Sequence, residues 1–171
     1  QNPGTQIVSN ASCTTNCISP VAKIIEDAIG IEKAMMTTIH GYTSDQKLHD
    51  GGHKDYRRAR AAAENIVPTS TGATQAAAKA IPSLEGKFNG LAIRVPVPVG
   101  SLSDFTFLTK RETSVDEINE LFKNAQNMEQ WKGILEATED PIVSSDIVGN
   151  SHSSIVDLSL TQVVMGNMVK V

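Results

Sequence analysis

The chain has 171 residues, of which 40% are hydrophobic, 20% charged and only 4% aromatic, and its net charge is −4. This is a globular composition with enough length to bury a core. The charge gives no reason to expect nucleic acid or an anionic membrane as a partner, no run reaches the roughly 18 apolar residues of a membrane helix, and two cysteines are too few for a disulfide framework.

In chain order, Gln6–Asn10 is a short apolar-centred run that predicts a strand. Ser12 precedes a predicted helix over Cys13–Ile29, whose Cys17, Ile18, Val21, Ile24, Ile25 and Ala28 recur at helical spacing. Gly30 suits the position after its C-cap. Ile31–Tyr42, rich in β-branched residues, predicts a strand, and polar Thr43–Arg60 a long loop of the kind that is often functional. Thr71–Ala80 predicts a second helix with Thr71 as N-cap. Leu91–Val99 and Ser101–Lys110 predict strands joined by a turn at Gly100. Ser114–Gln126 opens with the capping box Ser114/Glu117 and carries a helical stripe of Val115, Ile118, Leu121, Phe122 and Ala125. Ile142–Val148, Ser154–Leu160 and Gln162–Val171 predict further strands, the last with a turn at Gly166-Asn167.

Strands dominate the second half without βα alternation. That pattern predicts an α+β fold over residues 1–171 as one domain, with a mixed, largely antiparallel sheet and helices packed on one face. The twelve glycines never fall at the i, i+2, i+5 spacing of a dinucleotide-binding turn, and no GxxxxGK[ST] phosphate loop occurs. A doubly wound nucleotide-binding domain is therefore not expected.

Cys13 falls where the chain enters a helix N-terminus. Unpaired N–H groups and the helix dipole favour negative charge there, so a thiol at that point has its thiolate, the nucleophilic form, stabilised. The competing reading is a buried, inert cysteine. Cys17, one turn on, reads as a core residue, and the two thiols lack further ligands at metal-site spacing. His40, at the end of a predicted strand, can present its ring to a cleft as a base toward a thiol, or serve structure alone; nothing raises His49, His53 or His152 above structural roles. The cluster Arg57-Arg58-Ala59-Arg60 suits bidentate contact with phosphate, or a solvated loop. Thr71-Gly72 offers a hydroxyl and helix-start N–H groups, although capping explains Thr71 as well. Arg94 sits inside an apolar run and needs a partner, either a carboxylate or a ligand anion. Together these residues point to thiol chemistry on a phosphorylated substrate.

The run Ser12-Cys13-Thr14-Thr15-Asn16-Cys17 resembles the active-site signature of phosphorylating glyceraldehyde-3-phosphate dehydrogenase. His40-Gly41-Tyr42-Thr43, Arg57-Arg58-Ala59-Arg60, Thr71-Gly72 and Arg94-Val95-Pro96 resemble its later motifs in order and spacing, across essentially the whole chain. The resemblance implies the catalytic domain of a glycolytic enzyme that oxidises and phosphorylates glyceraldehyde 3-phosphate to 1,3-bisphosphoglycerate. Cys13 would form the thioacyl intermediate and His40 would accept the thiol proton. Thr43 and Arg94 would hold the substrate phosphate. Ser12, Thr14, Thr71 and Gly72 would hold inorganic phosphate, the co-substrate. Arg58 resembles an arginine shared by this region, with Arg57 and Arg60 as competing choices. The implied hydride acceptor is NAD or NADP, the implied assembly a homotetramer and the implied location cytoplasmic, with no nucleic-acid or membrane partner.

Three features depart from the family pattern. The expected N-terminal nucleotide-binding domain and the closing C-terminal segment are absent from this sequence, and Gly51-Gly52 stands where NAD-specific members usually carry a proline, which leaves NAD and NADP both open. Three other readings stand beside the first: an erythrose-4-phosphate dehydrogenase, a cysteine hydrolase using Cys13 and His40, and an isolated domain without dehydrogenase activity that serves assembly or binding.

Overall fold

A computed structural model describes Gly4 and residues 6–171. Ser12 caps helix α1, Cys13–Ala28: its Oγ accepts from Thr15 N at 3.1 Å. The helix ends at Ile29, and Gly30 follows in the left-handed region at φ +81. Strand β1, Ile31–Gly41, alternates as a half-buried strand should, with Ala34, Met36 and Thr38 buried and Met35 exposed. A long irregular segment then leads to β2, Val67–Ser70, and α2, Ala73–Ala80. Strands β3, Phe88–Val95, and β4, Ser101–Thr109, precede α3, Val115–Ala125. Short strands β5, Leu135–Thr138, β6, Ser154–Asp157, β7, Gln162–Val164, and β8, Met168–Lys170, complete the order.

Among the described residues six strands form one sheet in the order β2-β3-β1-β4-β8-β7, with β1 and β3 parallel and its other neighbours antiparallel; β5 and β6 pair separately, also in parallel. This is the α+β arrangement expected. One face of the sheet carries Phe88, Phe105, Phe107 and Val169, which share a core with Ile18, Ile25, Ala77, Ile118 and Phe122 of the three helices. The rings of Phe88 and Phe105 stack at 4.8 Å. Burying such rings stabilises by roughly 2–3 kcal/mol each.

Several expectations are corrected. Gln6–Asn10 forms no strand: Ile7 and Val8 are 87% and 82% exposed, and no neighbouring strand offers them a ladder. Ile142–Val148 is a series of turns, because the Asp146 carboxylate accepts from Val143 N and closes the chain on itself. The strand starting at Ser154 stops at Asp157, whose carboxylate accepts from Ser159 N and starts a 3₁₀ turn over Leu158–Leu160. Strands β2 and β5 had no forecast; Pro68 sits in β2 because that strand is the sheet edge. Gly100 does not close a hairpin. The connection between β3 and β4 passes over the end of β1, with Gly41 N donating to Gly100 O and Tyr42 N to Val97 O. The N-cap of α2 is Gly72 instead of Thr71, whose Oγ1 accepts from Ala73 N. Only half of the Ser114/Glu117 box forms, since the Glu117 carboxylate turns to Arg111 and Thr113. Cys17 lies outside the core cluster, half-buried. Its sulfur faces Ser154 Oγ at 3.9 Å, and burial pushes the thiol up from its ordinary value.

Candidate active site

Cys13 is the first residue of α1 and is exposed. Two devices put it there. Ala11 holds the left-handed region at φ +54 and turns the chain sharply into the helix, a conformation that costs a non-glycine residue about 1–2 kcal/mol. Asn16 Nδ2 donates to Asn10 O at 2.7 Å and to Ser12 O at 2.9 Å, bracing that turn. Nothing local in the sequence announces either role.

His40 is delivered by the end of β1. Its Nε2 lies 3.3 Å from Cys13 Sγ, and its Nδ1 is 2.7 Å from the Gly41 carbonyl. Gly41 is required for backbone reasons: a Cβ there would stand 2.6 Å from Val97 O. Parallel register sets Arg94 of β3 beside His40, and Arg94 Nη1 reaches His40 Nδ1 at 2.8 Å. Burial and, after it, the neighbouring Arg58 charge hold Arg94 below the ordinary arginine value, and both guanidiniums line the one cleft, where an anion would be favoured.

Arg58 comes from the long loop. Its Nε donates to Thr69 Oγ1 at 2.7 Å, Nη1 to Asp45 Oδ2 at 2.6 Å and Nη2 to Ser70 O at 3.2 Å. The Arg58 hydrogen bond, with a second from His53, holds Asp45 below the usual carboxylate range. Arg60 turns away to Asp50, and Arg57 does not line the cleft. Asp45, Asp55 and Thr69, which aim Arg58, escaped the sequence reading because they meet it only through the loop's path.

These side chains surround a cavity of about 320 Å³ lined by Ser12, Cys13, Thr14, His40, Arg58, Thr71, Gly72 and Arg94, together with Thr38 and Ala92 of the sheet. The N-termini of α1 and α2 both open onto it, each with backbone N–H groups that lack intrahelical acceptors. Eight of the nine residues expected to take part therefore share one cleft. Thr43 is not in its lining; it sits in a turn where its N–H donates to Gln46 Oε1 at 3.3 Å. A larger hollow of about 490 Å³ lies on the other side of the α1 entrance, between Asn16, Lys23, Trp131 and Ile134, and contains neither Cys13 nor His40. Reactive groups decide the assignment here, not volume.

Chemically, a thiol in contact with an imidazole can be deprotonated toward it, while two guanidiniums and two helix starts favour oxyanions. Among the described residues no group of three or more His, Cys, Asp or Glu could hold a metal ion. No helix of the described residues is long and apolar enough to cross a membrane.

The chain is similar to known proteins over most of its length. Residues 12–171 match the family described as glyceraldehyde 3-phosphate dehydrogenase, C-terminal domain. Three proteins named glyceraldehyde-3-phosphate dehydrogenase illustrate the likeness. That of Mycobacterium bovis is 58% identical over 92% of this chain and 46% of its own length. That of Streptomyces coelicolor is 54% identical over 96% and 49%, and that of Borreliella burgdorferi 53% identical over 99% and 51%. The chain spans about half the length of the curated relatives it matches. With a family match running from the N-cap serine of the cysteine helix to the last residue, the chain belongs to the glyceraldehyde 3-phosphate dehydrogenase C-terminal domain family.

Proposed function

We propose that residues 1–171 are the catalytic domain of a phosphorylating glyceraldehyde-3-phosphate dehydrogenase, and that Cys13 and His40 carry its chemistry. The observation that supports this most is the 3.3 Å approach of Cys13 Sγ to His40 Nε2 in a cleft ringed by Arg58, Arg94 and two helix N-termini. Cys13 Sγ attacks the aldehyde carbon; the C–S bond forms as the carbonyl pair moves onto oxygen, and His40 takes the thiol proton and holds it near that oxygen. A nicotinamide cofactor, NAD or NADP, supplies the hydride acceptor when bound, mainly outside this chain. The carbon then stands as a thioester on Cys13. An oxygen of inorganic phosphate attacks it, the C–S bond breaks, and Sγ leaves as a thiolate, yielding the acyl phosphate.

Arg58, Ser12, Thr14, Thr71 and Gly72 hold the incoming phosphate in this scheme, and Arg94 the substrate's own phosphate. Thr43 joins Arg94 in the proposal even though it lies outside the cleft lining here. Assembly as a homotetramer and a cytoplasmic location complete the reading. In the intact protein, Cys13→Ser should lower oxidation of glyceraldehyde 3-phosphate with phosphate and NAD or NADP by about a thousandfold or more. Undiminished turnover would overturn the assignment. The ratio of kcat/KM for glyceraldehyde 3-phosphate and erythrose 4-phosphate, measured on the same protein, separates the two aldehydes.

A further inference from the structure

Asn89 and Gly90 lie near the start of strand β3 and form the chain's sole Asn-Gly pair. The fold itself demands the glycine. A Cβ at position 90 would stand 2.5 Å from the Met36 carbonyl oxygen of the neighbouring strand β1, closer than a packed interior allows. Phe88 before it enters the core, so Asn89 points to the opposite face of the sheet. There it is exposed, with Met35 as its partner in the parallel register.

The amide of Gly90 is left out of the β2 ladder. Antiparallel β2 ends at Ser70, opposite Leu91, so its pairing stops one residue short of Gly90. The Gly90 N–H turns instead to the side chain before it and donates to Asn89 Oδ1 at 2.8 Å. A main-chain nitrogen thus rests against the carboxamide of its own neighbour. Asn150 offers the contrast. It too is exposed, but Ser151 follows it. Its Nδ2 donates to Glu136 Oε2 at 2.7 Å and its Oδ1 accepts from His152 N at 2.9 Å, so both ends of that carboxamide are engaged elsewhere.

We propose that Asn89 is a modification site of this chain: Gly90 N closes on Asn89 Cγ to form a succinimide, which water reopens as aspartate or isoaspartate. The Gly90 N–H proton passes to solvent, the N–Cγ bond forms, and the Cγ–Nδ2 bond breaks. Nδ2 takes a proton from solvent and departs as ammonia. Water then adds to one of the two ring carbonyls. Addition at Cγ breaks the new N–Cγ bond and leaves aspartate; addition at the Asn89 main-chain carbonyl breaks the old peptide bond and leaves isoaspartate. No oxidation or reduction occurs. Glycine has no side chain to shield its nitrogen, and no β2 bond has to open first. The product adds a negative charge to the sheet face on which Met35 and Leu91 are exposed. Isoaspartate also adds one main-chain carbon to β3, the strand whose register sets Arg94 beside His40.

The test compares the intact protein with the free peptide Phe88–Arg94, which is also the fragment that trypsin releases by cutting after Lys87 and Arg94. Both are held at neutral pH in water enriched in ¹⁸O, and the fragment is followed by chromatography and mass spectrometry. In the protein it should gain one heavy oxygen and split into two species, aspartate and isoaspartate. Its rate should stay within about tenfold of the free peptide, because no local opening is required. It should exceed the rate at Asn150 by about tenfold, because the attacking nitrogen belongs to glycine. A rate in the protein that falls further below that of the peptide would show that β3 protects the pair, and would overturn the proposal. So would a rate no greater than that at Asn150. Aspartate without isoaspartate overturns it equally, since direct hydrolysis passes through no ring.

Discussion

The two halves of the cleft are held in different ways. Cys13, His40 and Arg94 are delivered by a helix start and two neighbouring strands, all anchored in one apolar core. Arg58 is delivered by the irregular stretch between β1 and β2, which buries few apolar side chains. What orders that stretch is carboxylates. Asp45 holds Arg58 directly, Asp55 accepts from Arg57 N and Thr69 Oγ1, and Asp50 accepts from Ala61 N and Arg60. Cys13 thus stands on packing, which is rigid and insensitive to charge, and one of the two arginines stands on ion pairs, which are neither. In the proposed reaction, a site whose covalent chemistry must be positioned closely, while its anions come and go, would gain from that division.

The comparison breaks most visibly in the core. Phe107 is fully buried on β4 and packs its ring 4.0 Å from that of Phe105. Phe107→Ala should destabilise by about 3–5 kcal/mol, measured by denaturant unfolding, and a loss under 1 kcal/mol would show that the sheet face is not the anchor described. Asp45→Asn strikes the other half. The Asp45–Arg58 pair is solvent-exposed on the aspartate side, so thermal stability should hold while KM for inorganic phosphate rises roughly tenfold, the scale of one charged hydrogen bond. A large drop in melting temperature with unchanged KM would reverse the division proposed here.

Acid sharpens the same contrast. Asp45, Asp50 and Asp55 are each held below the usual carboxylate range, chiefly by the Arg58 hydrogen bond, the Ala61 N–H and the Arg57 N–H respectively. Because their native values are depressed, the stability they contribute is complete above the ordinary carboxylate range and fades as pH falls through the lower native values. Hydrogen exchange in that acid window should deprotect residues 43–60 before the amides of β1 and β4. Simultaneous loss in both regions would mean that the loop is held by something other than its carboxylates.

How much of this was legible beforehand follows the same line. α1 and α3 carry helical periodicity in their own residues, and β1 and β4 lie in runs of strand-like composition, so local pattern sufficed for them. Strands β2 and β5 are four residues each and exist through their partners, Val67 opposite Arg94 and Leu135 opposite Ser154. Conversely, Gln6–Asn10 and Ile142–Val148 have strand-like composition and no partner, and composition alone does not make a ladder. In the site, Ser12 as a cap located Cys13 and a strand end located His40. The choice of Arg58 over Arg57 and Arg60 required the loop's path, and the approach of Arg94 to His40 required the parallel register between β1 and β3. Both are long-range facts with no local signature.

The smallest expected effect separates strain at the cleft from strain elsewhere. Among the described residues two non-glycine residues adopt left-handed backbone, Ala11 at φ +54 and Met165 at φ +49. Ala11 lines the cleft two residues before Cys13, whereas Met165 lies in the β7–β8 turn and is 92% exposed, so it contributes little packing. Asparagine tolerates that conformation far better than methionine. Met165→Asn should therefore stabilise by about 0.5–1 kcal/mol, raising the melting temperature by roughly 1–4 °C and leaving turnover unchanged. Relief of similar strain by Ala11→Gly frees the turn that aims Cys13, so turnover should fall even where stability does not. Equal activity in the two variants would show that the strained turn is incidental and that Ser12 and Asn16 alone place the thiol.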